Sequence, residues 1–105
     1  MEFQSKILIT NSTQKSKIVI LEPWGEEIQM PPKKTFELIA FASQEGNFEI
    51  DFGEDEITAF LWAGSTVIVF CEGKEMGVTD RLVVPENFPG GQNISSFIRF
   101  MFGKK

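Results

Sequence analysis

Short apolar stretches recur along the chain between polar or Gly/Pro punctuation, and most repeat every second residue, the spacing of a strand with one buried face. The pattern is all-β. Phe3 to Thr10 predicts a first strand, closed by the turn-forming group Asn11-Ser12-Thr13, and Lys17 to Glu22 a second, dense in Ile and Val. Pro23 then removes a ladder donor and Trp24-Gly25 turns the chain, which predicts a hairpin with a third strand, Glu26 to Met30, ended by Pro31-Pro32. Thr35 to Ala42 makes a fourth. In the fifth, Phe48, Ile50 and Phe52 point one way while Glu49 and Asp51 point the other, so its apolar face is expected to meet a core.

Gly53-Glu54-Asp55 turns into Ile57 to Ala63, and Gly64-Ser65 turns into Thr66 to Glu72. Val67, Ile68, Val69 and Phe70 are apolar on both faces, which places their strand in the centre of a sheet or against a partner subunit on its second side. Glu72-Gly73-Lys74 predicts a tight turn before Glu75 to Asp80, and Arg81 to Val84 a last edge strand. Pro85 to Gln92, with Pro89-Gly90-Gly91, reads as loop. Residues 93–102 fit two patterns: a helix capped by Asn93 with Ile94, Phe97, Ile98 and Met101 on one face, or a strand whose face carries Ile94, Ile98, Phe100 and Phe102.

Seven or eight short strands joined by tight turns predict an antiparallel β-sandwich of the immunoglobulin-like or cupredoxin-like kind, with a small barrel as the alternative. The chain of 105 residues is the size of one domain. Residues 1–84 are read as the sandwich, and 85–105 as a loop and apolar segment packed on it or on a partner. No apolar run approaches the 18 or so residues of a membrane span.

The segment Leu21-Glu22-Pro23-Trp24-Gly25, with Asn11-Ser12-Thr13 and Ile18-Val19-Ile20 before it and Met30-Pro31-Pro32 and Phe36-Glu37-Leu38 after it, resembles a set of small, functionally uncharacterised bacterial proteins. Those carry an Asn-rich turn, a strand ending in Leu-Glu-Pro-Trp-Gly, and a Pro-Gly turn. Here Lys33 stands where that turn places Gly. The similarity covers residues 7–75, only the five-residue core is specific, and what it implies is a β-sandwich without an assigned activity.

Composition then removes chemistry. The chain has no His, so the usual general base near neutrality and the commonest transition-metal ligand are missing, and blue copper with them. Cys71 is the sole cysteine and shares a strand face with Val67 and Val69, the place of a small buried hydrophobe; it cannot close an intrachain disulfide. Met1-Glu2-Phe3-Gln4 lacks the layout of a signal peptide, which leaves a reducing cytoplasm as the default. Eleven Phe and no Tyr predict a Phe-rich core. Residues 1–21 sum to +2, 22–75 to −9 and 76–105 to +2, giving the net −5. The acidic middle repels phosphate backbones, so nucleic acid is not an expected partner.

Few side chains remain as candidates. Trp24, held between Pro23 and Gly25 with Glu22, Glu26 and Glu27 around it, is either a contact anchor with an acidic rim or a plug at one end of the sandwich. Asp51, Glu54, Asp55 and Glu56 crowd one hairpin turn, but their spacing does not match a calcium loop and they read as a solvated acidic turn. Asn11-Ser12-Thr13 and Asn93-Ile94-Ser95 match the glycosylation pattern but read as turn chemistry. Phe97 and Phe100, with Ile98, Met101, Phe102 and the cations Arg99, Lys104 and Lys105, form a tail too apolar to leave in water. The expected function is therefore a non-enzymatic module acting by protein contact, self-association included, with no cofactor and no metal. The alternative is a small-ligand or carbohydrate-binding module stacking on Trp24 or Trp62. A carboxylate-only hydrolase built on Glu22, Glu26 or the 51–56 group ranks last, since it needs a sheltered acid of raised pKa.

Overall fold

In the computed structural model, which describes residues 2–78 and 81–87, the alternating segments become eight strands in two four-stranded sheets. They are β1 (Phe3–Thr10), β2 (Lys17–Glu22), β3 (Glu26–Met30), β4 (Thr35–Ala42), β5 (Glu49–Phe52), β6 (Glu56–Phe60), β7 (Ser65–Cys71) and β8 (Lys74–Met76). The front sheet has the order β1-β4-β7-β8 and the back sheet β3-β2-β6-β5. No helix among the described residues is long and apolar enough to cross a membrane.

The two sheets form a β-sandwich because each alternating strand sends one set of side chains inward. From the front come Ile9, Phe36, Leu38, Ala40, Val67 and Val69, and from the back Val19, Leu21, Ile28, Met30, Ile57 and Ala59, all buried in one cluster. The interior is mainly aliphatic, which departs from the Phe-rich core expected from composition. Of the phenylalanines among the described residues only Phe36 is fully enclosed, because strand parity turns Phe41, Phe60 and Phe70 outward. Phe52 also departs from expectation. It lies on the inward parity of β5 but at the last rung of an edge strand, and is 68% exposed.

Among the described residues every strand pairing is antiparallel except one. The back sheet consists of two hairpins, β2–β3 and β5–β6, joined side by side through β2 and β6, which run parallel in the register Ile18↔Glu56 to Glu22↔Phe60. A β2 that reads Lys-Ile-Val-Ile-Leu-Glu, almost continuously apolar, suits a central strand flanked on both sides. Neither flanking pair is specified by alternation alone, so the parallel junction is a departure from the antiparallel expectation.

The two ends of the sandwich are closed differently. At one end Asn11 is buried, and its amide donates to the carbonyls of Lys15, Met30 and Pro31 while its Oδ1 accepts the N–H and hydroxyl of Thr13. One side chain thereby ties the β1–β2 loop to the β3–β4 turn, which is the turn chemistry read from Asn11-Ser12-Thr13. In that second turn Lys33 has φ 63, a left-handed conformation, and its N–H donates to the carbonyl of Asn11 at 2.7 Å. The β7–β8 hairpin turns through Glu72 (φ 53) and Gly73 (φ 80), two positive angles that fit the right-handed twist of the strands it joins.

These two positions give clean stability tests. Lys33→Gly relieves the left-handed backbone and is expected to stabilise by roughly 0.5–1 kcal/mol in urea unfolding. Gly73→Ala meets no atom within 4 Å, so only its backbone angle is penalised, and a loss of about 1 kcal/mol is expected.

Candidate functional site

The outward positions of the front sheet follow from the register. They form rows Gln4–Phe41–Thr66, Lys6–Ile39–Ile68 and Leu8–Glu37–Phe70–Glu75. Phe41, Ile39, Ile68 and Phe70 make a half-buried apolar ridge across the sheet, and Leu8 stands at its rim with 66% of its surface exposed. The doubly apolar run Val67 to Phe70 is thus an interior strand of its sheet with a second apolar face outside. Sequence reasoning missed the equal contribution of β4. The signal was present in Leu38-Ile39-Ala40-Phe41-Ala42, five apolar residues without a break, of which Ile39 and Phe41 are outward.

Charges around this ridge nearly balance. Lys6 pairs diagonally with Glu37 at 3.3 Å, and Lys34 with Glu72 at 2.7 Å. Glu72, by hydrogen bond and by charge, holds the Lys34 ammonium above its ordinary pKa. Between Leu8, Glu37, Phe70 and that second pair lies an open groove of about 460 Å³.

Glu22, Trp24 and Glu26, predicted as one site, do meet at the β2–β3 turn, where Gly25 (φ 75) donates to the Leu21 carbonyl at 2.9 Å. Their employment is internal. β8 covers only Val69 to Cys71 of β7, and residues 81–84 pass along the remaining edge as a strap instead of the predicted edge strand. Val84 donates to the Ser65 carbonyl at 2.8 Å and accepts from Gly64 at 2.8 Å, while Arg81 Nη1 donates to the Val67 carbonyl at 3.0 Å. Arg81 is anchored by Glu26, whose carboxylate takes two guanidinium N–H groups and the N–H of Val78. The Arg81 side chain is 2% exposed, so this is a sequestered ion pair and not a rim.

Trp24 is half-buried against the core and its Nε1–H donates to the Leu82 carbonyl at 2.8 Å, locking the strap to the turn. The Leu82 side chain itself is 80% exposed. Glu22 is half-buried, and the burial raises its carboxyl pKa against a smaller opposing effect of the Gly25 N–H. Trp62, in the β6–β7 turn, plays the matching part for the β4–β5 loop. Its Nε1–H donates to the Gln44 carbonyl at 2.9 Å, Phe48 meets it edge-on with centroids 5.7 Å apart, and Gly46 lies so close to the ring that a Cβ there would collide with it.

The last two predicted residues, Phe97 and Phe100, lie outside the described residues, as do the helix and strand readings of 93–102. The acidic turn is solvated: Asp51, Glu54, Asp55 and Glu56 are all exposed, and Asp55 pairs with Lys15 at 3.2 Å. Among the described residues no three His, Cys, Asp or Glu side chains converge on a point where a metal ion would sit.

The burial of Glu26 and Glu22 has measurable effects on stability. Glu26→Ala strands a sequestered guanidinium and is expected to cost about 3–5 kcal/mol in urea unfolding, with a red shift of Trp fluorescence as the strap lifts; replacing both partners by Met removes the stranded charge but leaves the Val67 carbonyl and the Val78 N–H without partners, so only part of the loss is recovered. Glu22→Gln is expected to stabilise at neutral pH. A carboxyl whose folded pKa is raised binds more protons folded than unfolded, so wild-type stability falls as pH rises through the unfolded value near 4.5 toward the raised one. The advantage of Gln is therefore full above that window and vanishes below it, which thermal melts at pH 3 and 7 would show. Comparison with family models, with curated proteins and with solved structures finds no match to this chain.

Proposed function

We propose that the chain is a non-enzymatic interaction module that contacts another protein, a second copy of itself included, through the outer face of the front sheet. The observation that carries this reading is the ridge Phe41–Ile39–Ile68–Phe70, four large apolar side chains on the face of a sheet whose other face already has a core. An apolar ridge with paired charges at its border is the anatomy of a contact surface: a desolvated centre and a polar rim. Taking about 14 Å across three strands and about 25 Å along them, the face offers roughly 350 Å², or about 700 Å² counted over two partners, which is below the size of a stable specific interface and suits a weak, reversible contact.

Several features favour contact over chemistry or ligand stacking. The chain has no His to serve as a base at neutral pH. Both indole N–H groups are spent on main-chain carbonyls within the fold, and Gly46 occupies one face of Trp62. The single thiol, half-buried at Cys71, suits a reducing compartment, and the cytoplasm is the proposed location.

Light scattering across a concentration series, with a co-purification from the native cell, tests the reading. Ile39→Lys/Phe70→Glu is expected to abolish the association seen with wild type while leaving the thermal transition in place, since neither side chain is in the core. A wild-type chain that stays monomeric, and captures the same proteins as the double variant, refutes it.

A further inference from the structure

The back sheet has an outer face of opposite character. Its outward positions are Ile18, Ile20 and Glu22 on β2, Glu27 and Gln29 on β3, Glu56, Thr58 and Phe60 on β6, and Glu49 and Asp51 on β5. Ile18, Ile20 and Phe60 are half-buried along the middle, with Glu22, Glu27, Glu49, Asp51 and Glu56 around them. That is five carboxylates about an apolar strip, and none of these outward positions is basic. The front face differs in that its outward Lys6 already answers Glu37. A one-signed border around an apolar strip selects a partner that is both apolar and cationic.

We propose that this face is the docking site of the chain's own C-terminal segment, residues 93–105. The segment carries Ile94, Phe97, Ile98, Phe100, Met101 and Phe102 with Arg99, Lys104 and Lys105, and has no acidic residue. It complements the back face in both respects. The chain path leaves that face within reach. Val84 is hydrogen-bonded at Ser65 and Glu86 at the Ser43 hydroxyl, so the chain passes Asn87 at the end of the sandwich where β2 and β6 finish with Glu22 and Phe60. The 18 residues after Asn87 reach about 60 Å when extended, against roughly 17–20 Å for the length of a strand. This inference does not rest on the contact proposed for the front face; it assigns the other side of the sandwich to the molecule itself.

Trypsin cleavage after Arg99 in the full chain, read as release of residues 100–105, tests the proposal. Cleavage is expected to be at least about tenfold slower than in a synthetic peptide of residues 93–105, and the protection to fade as salt screens the carboxylates. Glu27→Gln/Asp51→Asn/Glu56→Gln, all exposed positions off the core, is expected to remove most of the protection, and Glu37→Gln/Glu75→Gln on the front face to leave it. Once cleavage is complete, amide NMR shifts are expected to move at Ile18, Ile20 and Phe60 and to stay at Ile39, Ile68 and Phe70. Three outcomes overturn the assignment: cleavage as fast as in the free peptide, protection lost with the front-face variant instead, or protection that grows with protein concentration, which assigns the segment to a second copy.

Discussion

The short β8 leaves half of an interior strand without a neighbour, and the way that edge is satisfied holds the two sheets together. The carbonyls of Ser65 and Val67 face the gap, and an unpaired carbonyl at the seam of a sandwich costs free energy comparable to a lost hydrogen bond. Arg81 and Val84 supply the donors. Arg81 is itself held by Glu26 on the first residue of β3, so one guanidinium bridges the open edge of the front sheet to the outer strand of the back sheet. Gly77 is the accommodation this requires. It adopts φ 76 and lies so near the Glu26 carboxylate, the Arg81 guanidinium and Ile28 that no Cβ fits there.

With the seam closed and both inner faces consumed by an aliphatic core, the two outer faces carry the remaining apolar surface of the sheets. They are chemically unlike: the front is an apolar ridge with neutralised charges, the back an apolar strip in an acidic surround. Both depend on parity. A shift of one residue in the β4–β7 register would turn either Phe36 and Leu38 of β4 or Val67 and Val69 of β7 to solvent, so the side chains that make the surfaces are fixed by the same constraint that makes the core.

Strand positions were legible because period two and turn chemistry act locally. β1 to β4 begin and end where Asn11, Pro23-Trp24-Gly25 and Pro31-Pro32 place them, and the type of turn at Glu72-Gly73 is likewise written in neighbouring residues. What was not legible depends on partners distant in sequence. Nothing local in Ile18-Val19-Ile20 says that it lies beside Glu56-Ile57-Thr58 in parallel, or that Arg81 extends its guanidinium to Glu26 instead of its backbone to a ladder. Trp24 was recognised as a residue of consequence, but the carbonyl that occupies its N–H belongs to Leu82, 58 residues away. The Phe-rich core failed for a related reason: composition counts side chains and is blind to the face on which each one falls.

The parallel junction of β2 with β6 also dictates an order of events on a chain emerging from its N-terminus. The β2–β3 hairpin is complete in sequence at Met30, yet its free flank has no partner until residues 56–60 arrive, and the front sheet stays a β1–β4 pair until Ser65–Cys71 follow. Through that interval the Ile- and Val-rich flank of β2 is an open template for another nascent chain, which makes the stretch between Met30 and Phe60 the period when this small sandwich is most prone to aggregate.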